Sequence, residues 1–107
     1  MRPAKPLAFG VLRSQDGRTV PHLGLPGNPV SAQVAFEQFG RAAMSKMMGK
    51  TEFRKPVVNA ILDESIYNED GRRMYARVVV SSKDGKYHAR LTGAQGSNLL
   101  TSMTLAN

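Results

Sequence analysis

The chain has 107 residues and a mass of 11.7 kDa, room for one ordinary domain or for parts of two, and too little for a large multidomain enzyme. Its 41% hydrophobic and 21% charged content is that of a folding sequence, not a disordered tail; the absence of cysteine excludes disulfides, thiolate zinc sites, iron–sulfur clusters and a cysteine nucleophile. Fifteen Lys+Arg against eight Asp+Glu leave a net charge of +7, which points to anionic partners: a phosphate-bearing small molecule, an oxyanion, nucleic acid or an acidic protein.

The first predicted strand is Leu7 to Leu12 and the second Thr19 to Leu25, with Asp16-Gly17 supplying the tight turn of a β-hairpin. Gly24-Leu25-Pro26-Gly27-Asn28-Pro29 then places two prolines and two glycines in a stretch that neither strand nor helix can cross. A helix is expected from Pro29 to Met48: Asn28 can cap it, Pro29 suits its first position and Gly49 its left-handed end. Ala32, Phe36, Phe39, Ala43 and Met47 make its buried stripe, with Gln33, Glu37, Arg41 and Ser45 on the wet face; Met44, Met47 and Met48 read as core filling. Gly40 within the helix means either a close neighbouring backbone or, more simply, a tolerated defect.

Beyond Lys55 the periodicity changes from helical to alternating, which predicts a domain division near residue 53. Strands are expected at Val57 to Leu62, Met74 to Ser82 and Lys86 to Thr92, the last two joined by an Asp84-Gly85 turn. Three strands are too few to close a barrel. The charge is uneven: residues 1–50 hold seven Lys+Arg against two Asp+Glu, whereas residues 51–107 hold eight against six. Anion binding is therefore expected to centre on the first part of the chain.

Three constellations can carry chemistry. Arg2-Pro3-Ala4-Lys5-Pro6 holds two cations in a stiff segment that leads into a strand; the simpler reading is a solvated basic segment. Leu25 to Ser31 runs as a rigid loop into a helix start, where the Val30 and Ser31 N–H groups could receive an oxyanion; it is otherwise an ordinary capped connection. Gly71-Arg72-Arg73, with Tyr75 and Arg77, and the loop Thr92-Gly93-Ala94-Gln95-Gly96-Ser97 allow guanidinium contacts and close backbone approach. No P-loop or dinucleotide fingerprint is present. His22 and His88 stand alone, as a loop histidine and a solvent-face strand residue; Asp63-Glu64 and Glu69-Asp70 read as exposed turn charges.

These segments together resemble the molybdopterin molybdenumtransferase family, bacterial MoeA and the equivalent domains of plant Cnx and animal gephyrin. The likeness lies in residues 1–10, in Gly24-Leu25-Pro26-Gly27-Asn28-Pro29-Val30-Ser31-Ala32, in Gly71-Arg72 and in Thr92 to Ser97 with Leu99 to Asn107. It implies an α+β chain: residues 1–52 as the end of an αβα molybdopterin-binding domain of the MoaB/Mog type, a β-hairpin plus one long helix, and residues 53–107 as part of a small C-terminal β-barrel domain. The implied reaction inserts molybdate into adenylylated molybdopterin with release of AMP, with Mg2+ held by residues upstream of this chain, so that the fragment is expected to be inactive alone.

By the same resemblance Arg2, Lys5 and Arg72 take catalytic roles, and Arg2, Lys5, Pro26, Gly27, Asn28, Pro29, Ser31, Arg72 and Ser97 bind molybdopterin or molybdate. No metal ligand is expected among them. Arg2 replaces a motif lysine and Ala4 a motif glycine, and an alanine does not readily take positive φ. The implied partners are anionic small molecules and a second copy of the parent protein. A cytoplasmic setting is expected, since no apolar run approaches the roughly 20 residues of a membrane span. Two readings from other classes compete: a basic nucleic-acid-binding β module, for which Tyr75 and Tyr87 are a thin stacking platform, and an oligomerisation or scaffold piece.

Overall fold

Turn chemistry sets the first element. A computed structural model describes residues 1–52, 54–69 and 71–107. Strands β1 (Ala8–Arg13) and β2 (Thr19–Gly24) pair antiparallel, Ala8 opposite Gly24 and Arg13 opposite Thr19. Gly17 takes φ +82° in the connecting turn, which only glycine adopts without cost. Ser14 N–H donates to the Arg18 carbonyl at 2.9 Å. The Asp16 carboxylate accepts from the Ser14 hydroxyl and from Arg18, and these bonds, the serine's first, hold its pKa below the ordinary carboxylate value. His22 lies within β2, opposite Gly10, and not in a loop.

The expected single helix is divided into three. Helix α1 (Pro29–Ala35) passes into a π-helical turn, Phe36–Gly40, and then into α2 (Arg41–Met47). The i−5 bond from Arg41 N–H to the Phe36 carbonyl marks the bulge. Gly49, at φ +76°, ends α2: its N–H and that of Lys50 return to the Lys46 and Ser45 carbonyls, each at 3.0 Å, the pairing of a Schellman cap. Glu37 meets Lys55 Nζ at 2.5 Å and Arg41 Nε at 3.1 Å; the Lys55 bond is the main cause that lowers its carboxyl pKa.

The bulge rotates α2 relative to α1, and the buried stripe differs from the predicted one. Val30, Ser31, Val34, Ala35, Gly40 and Ser45 are buried, while Phe39 is 44% and Met47 68% exposed. Phe36, Phe39, Ala43, Met44 and Met47 instead line an open apolar groove of about 560 Å³ shared with Phe9, Leu23 and Leu25. These methionines therefore face an open surface and do not fill a core.

Gly40 has a packing role that is neither of the two expected. A Cβ there would lie 2.6 Å from Cδ2 of Phe36 and 3.4 Å from Cδ2 of Leu23, so an aromatic ring, not a backbone, occupies the space. Gly40→Ala is expected to destabilise the protein by about 1 kcal/mol, because displacing the ring outweighs the helix-propensity gain. Thermal melting of the variant checks it; a raised melting temperature would contradict the packing role.

The second sheet has the order β3-β5-β4, with β3 at Ala60–Leu62, β4 at Val78–Lys83 and β5 at Lys86–Leu91. Asp84 (φ +51°) and Gly85 (φ +74°) form the expected β4–β5 turn. β3 runs parallel to β5 and is shorter than predicted. Asp63 and Glu64 are not idle turn charges: Asp63 Oδ1 lies 2.7 Å from Nδ1 of the half-buried His88, and Glu64 Oε1 accepts the Leu91 N–H at 2.6 Å. Asp70, and Phe53 at which the domain division is expected, lie outside the described residues.

β4 begins later than the predicted Met74 because residues 73–75 pair elsewhere. Arg2 N–H donates to the Arg73 carbonyl at 2.9 Å and Tyr75 N–H to the Arg2 carbonyl at 2.8 Å, a parallel bridge between Arg2 and Met74. A short helix α3 (Thr101–Thr104) ends the chain's regular structure. The architecture is α+β, elongated at 58 × 30 × 25 Å, and its small apolar core among the described residues is Ala4, Val30, Val34, Ala35 and Ala89.

Candidate anion-binding cleft

The three constellations singled out in the sequence converge. Residues 1–6, the Pro26-Gly27-Asn28 loop with Ser31, the Arg72–Arg77 segment and Gln95-Gly96-Ser97 line one cleft of about 580 Å³. Of the expected site residues, Arg2, Lys5, Pro26, Gly27, Asn28, Ser31, Arg72 and Ser97 stand in this lining; Pro29 does not. Pro29 occupies the first turn of α1, where its fixed φ starts the helix just beyond the cleft wall.

The first segment is held in place by the Arg2–Met74 bridge and by Ala4, which is 4% exposed. Ala4 takes φ +72°, a left-handed conformation that costs a residue with a Cβ about 1–2 kcal/mol. An alanine therefore adopts what its residue type disfavours, because burial and the backbone bridge on its N-terminal side hold it there. Arg2 and Lys5 remain exposed on either side of it.

The Pro26–Ser31 loop is anchored differently from expectation. Asn28 makes no side-chain cap to α1; its Nδ2 donates to Ser97 Oγ at 2.9 Å. The Val30 N–H, expected to be free for an anion, donates to the Ser97 carbonyl at 3.3 Å. The loop after Thr92 thus engages the Asn28 side chain, expected to cap the helix, and the Val30 N–H, expected to meet an anion. The Ser31 side chain is buried at the cleft wall.

The Ser97 loop is itself tied to Arg77. The Arg77 N–H donates to Gln95 Oε1 at 2.8 Å; its carbonyl receives Gln95 Nε2 at 3.1 Å and Thr92 N–H at 3.1 Å. Gly93 turns the chain at φ +106°. Met74, Tyr75, Gln95, Gly96 and Arg77 also line the cleft, and none of them is among the residues to which the resemblance gives a site role. The alternation of residues 74–77 suggests a plain strand, whereas Met74 bridges to Arg2 and Arg77 is bonded to Gln95.

Among the described residues, the lining contains Arg2, Lys5, Arg72 and Arg77 and no carboxylate. No group of three or more His, Asp or Glu among them stands close enough to hold a metal ion. The donor set is that of an oxyanion site, with guanidinium forks, an ammonium, hydroxyls and an amide.

Residues 59–107 match the model of the MoeA C-terminal region (domain IV). Over its whole length the chain is 32% identical to a molybdopterin molybdenumtransferase of Haemophilus influenzae and 36% identical to molybdopterin molybdenumtransferase 1 of Mycobacterium tuberculosis, covering 26% of each. The chain is similar over its whole length to molybdopterin molybdenumtransferases. It is also 31% identical, again over its whole length, to the molybdenum cofactor synthesis protein cinnamon of Drosophila melanogaster, covering 17% of that protein. The chain thus spans about a quarter or less of the curated relatives it matches. No helix among the described residues is long and apolar enough to cross a membrane.

Proposed function

We propose that this chain contributes one wall of the substrate site of a molybdopterin molybdenumtransferase, where molybdate and the phosphate groups of adenylylated molybdopterin are held while molybdenum is inserted and AMP released. The observation that carries this reading is the single cleft lined by Arg2, Lys5, Arg72, Arg77, Asn28, Ser31 and Ser97, in a chain related to molybdopterin molybdenumtransferases. Its polar lining suits ligands that are anionic throughout.

In this assignment Arg2 and Lys5 neutralise oxyanion charge from one side and Arg72 from the other. Pro26 and Gly27 shape a wall that lets a ligand approach the backbone. Ser31 and Ser97 offer hydroxyls that can donate or accept. The donor set does not fit magnesium, so no step of the reaction is assigned to a metal held by these residues. Residues 1–52 and 53–107 remain the proposed division between pterin-binding and barrel parts, with Arg2–Met74 and Asn28–Ser97 joining them across the cleft.

Calorimetric titration of the chain with molybdate and with AMP tests the reading. Arg2→Ala with Lys5→Ala, and separately Arg72→Ala, are each expected to weaken molybdate binding by about tenfold. Unchanged affinity in both would remove the site assignment. Tight, steeply salt-dependent binding of an oligonucleotide in preference to molybdate would instead favour a nucleic-acid module.

A further inference from the structure

We propose that Met44, Met47 and Met48 form a binding site for a soft monovalent metal ion, copper(I), on the exposed face at the end of α2. The site is independent of the anion cleft and shares no residue with it.

The polarity of α2 is inverted. Its buried residue is Ser45, whereas Met44, Met47 and Met48 are 51%, 68% and 62% exposed, the reverse of what burial of apolar area favours. On an α-helix these three positions fall within about 100° of arc, and side chains three and four residues apart are neighbours, roughly 5–6 Å between Cβ atoms. The Met48 N–H donates to the Met44 carbonyl at 3.0 Å, and Gly49 closes the helix immediately afterwards. The backbone beneath the three sulfurs is therefore held by the helix and its cap.

Sulfur distinguishes these residues from other exposed apolar side chains. A thioether is neutral and polarisable, poorly suited to a hard divalent cation and well matched to copper(I). It loses no proton on binding, and three rotatable bonds allow each sulfur to turn toward a common point. Met44 and Met47 also line the apolar groove, whose described lining contains no carboxylate and no lysine or arginine. Neighbouring cations on the helix leave the face open: Arg41 is paired with the Glu37 carboxylate at 3.1 Å, and Lys46 stands on the far side of the helix.

Titration of the full chain with silver(I), a soft ion that air does not oxidise, and with copper(I) under anaerobic reducing conditions tests the site. One ion is expected to bind per chain, with zinc(II) at least about a hundredfold weaker. The ε-methyl NMR signals of Met44, Met47 and Met48 should shift together on titration, while those of Met74 and Met103 stay in place. Replacing all three by leucine keeps their apolar area and helix preference, so the variant should melt as the unaltered chain does and lose the metal. Each single Met→Leu change at these positions should weaken binding by at least about tenfold, no less than the loss of an outer-shell partner costs a metal site. Met103→Leu should bind as the unaltered chain does.

No binding of either ion, full affinity in the triple leucine variant, an equal loss in Met103→Leu, or zinc(II) bound as tightly as silver(I) would each overturn the proposal. None of these outcomes touches the reading of the anion cleft.

Discussion

Val30→Ala is expected to lower stability by about 2 kcal/mol, measured by urea or thermal unfolding. Val30 is completely inaccessible to solvent, and among the described residues it is the largest side chain buried to that degree. Its backbone N–H is bonded to the Ser97 carbonyl, so the residue sits where the Pro26–Ser31 loop is tied to the Ser97 loop. Deleting two methyl groups there leaves a cavity between segments that have little other apolar burial to compensate. Among the described residues only Ala4, Val30, Val34, Ala35 and Ala89 are buried and apolar, so the loss is a large fraction of a marginal total. Val20→Ala, at a site 48% exposed, should change stability by less than about 0.5 kcal/mol. Equal effects at the two sites would show that the Val30 contact does not organise the core.

Ser102→Ala is expected to cost about 2 kcal/mol, well above the cost of a typical serine truncation. The residue is 4% exposed, and its hydroxyl receives the Arg77 Nε–H at 3.0 Å and donates to the Leu99 carbonyl at 2.6 Å. Alanine leaves a buried charged donor without its acceptor, and that penalty exceeds the value of the bond when made. Thr104 makes a similar local bond, from Oγ1 to the Thr101 carbonyl at 2.9 Å, but is exposed. Thr104→Ala should therefore cost less than about 0.5 kcal/mol. If the two substitutions proved equivalent, the link between Arg77 and α3 would carry no stability.

Much of the local structure is legible in the sequence because it depends on a few residues with narrow backbone preferences. Gly17 and the Asp84-Gly85 pair take the positive φ that their hairpin turns require, Pro29 opens the helix and Gly49 closes it. The strands β1, β2 and β5 fall within about one or two residues of their predicted bounds. These features depend on sterics within a few residues, so tertiary packing did not have to supply them.

The helix interior is less legible. A stripe of Phe36, Phe39 and Met47 satisfies a helical period, but periodicity identifies an apolar face without saying what covers it. The π-helical turn at Phe36–Gly40 also shifts the register, which brings Ser45 inside and leaves Met47 outside. Hydrogen bonding departs from local expectation in the same way. Asn28 prefers Ser97, 69 residues away, to its own helix, and the donor at Val30 is taken by the same loop. No local rule could assign a partner so distant.

Residue type and near-neighbour spacing are enough to set the turns, the start and end of the helix, the cationic character of the chain and the motifs that resemble those of molybdopterin molybdenumtransferases. They do not bring residues 1–6, the Pro26–Ser31 loop, Arg72 and Ser97 around one cleft; the packing of distant segments does that. The same packing puts Arg77 in the cleft wall, buried and with its side chain bonded to neutral acceptors. Burial and charge compensation are properties of what surrounds a residue, and the surroundings of Arg77 come from segments spread across the chain.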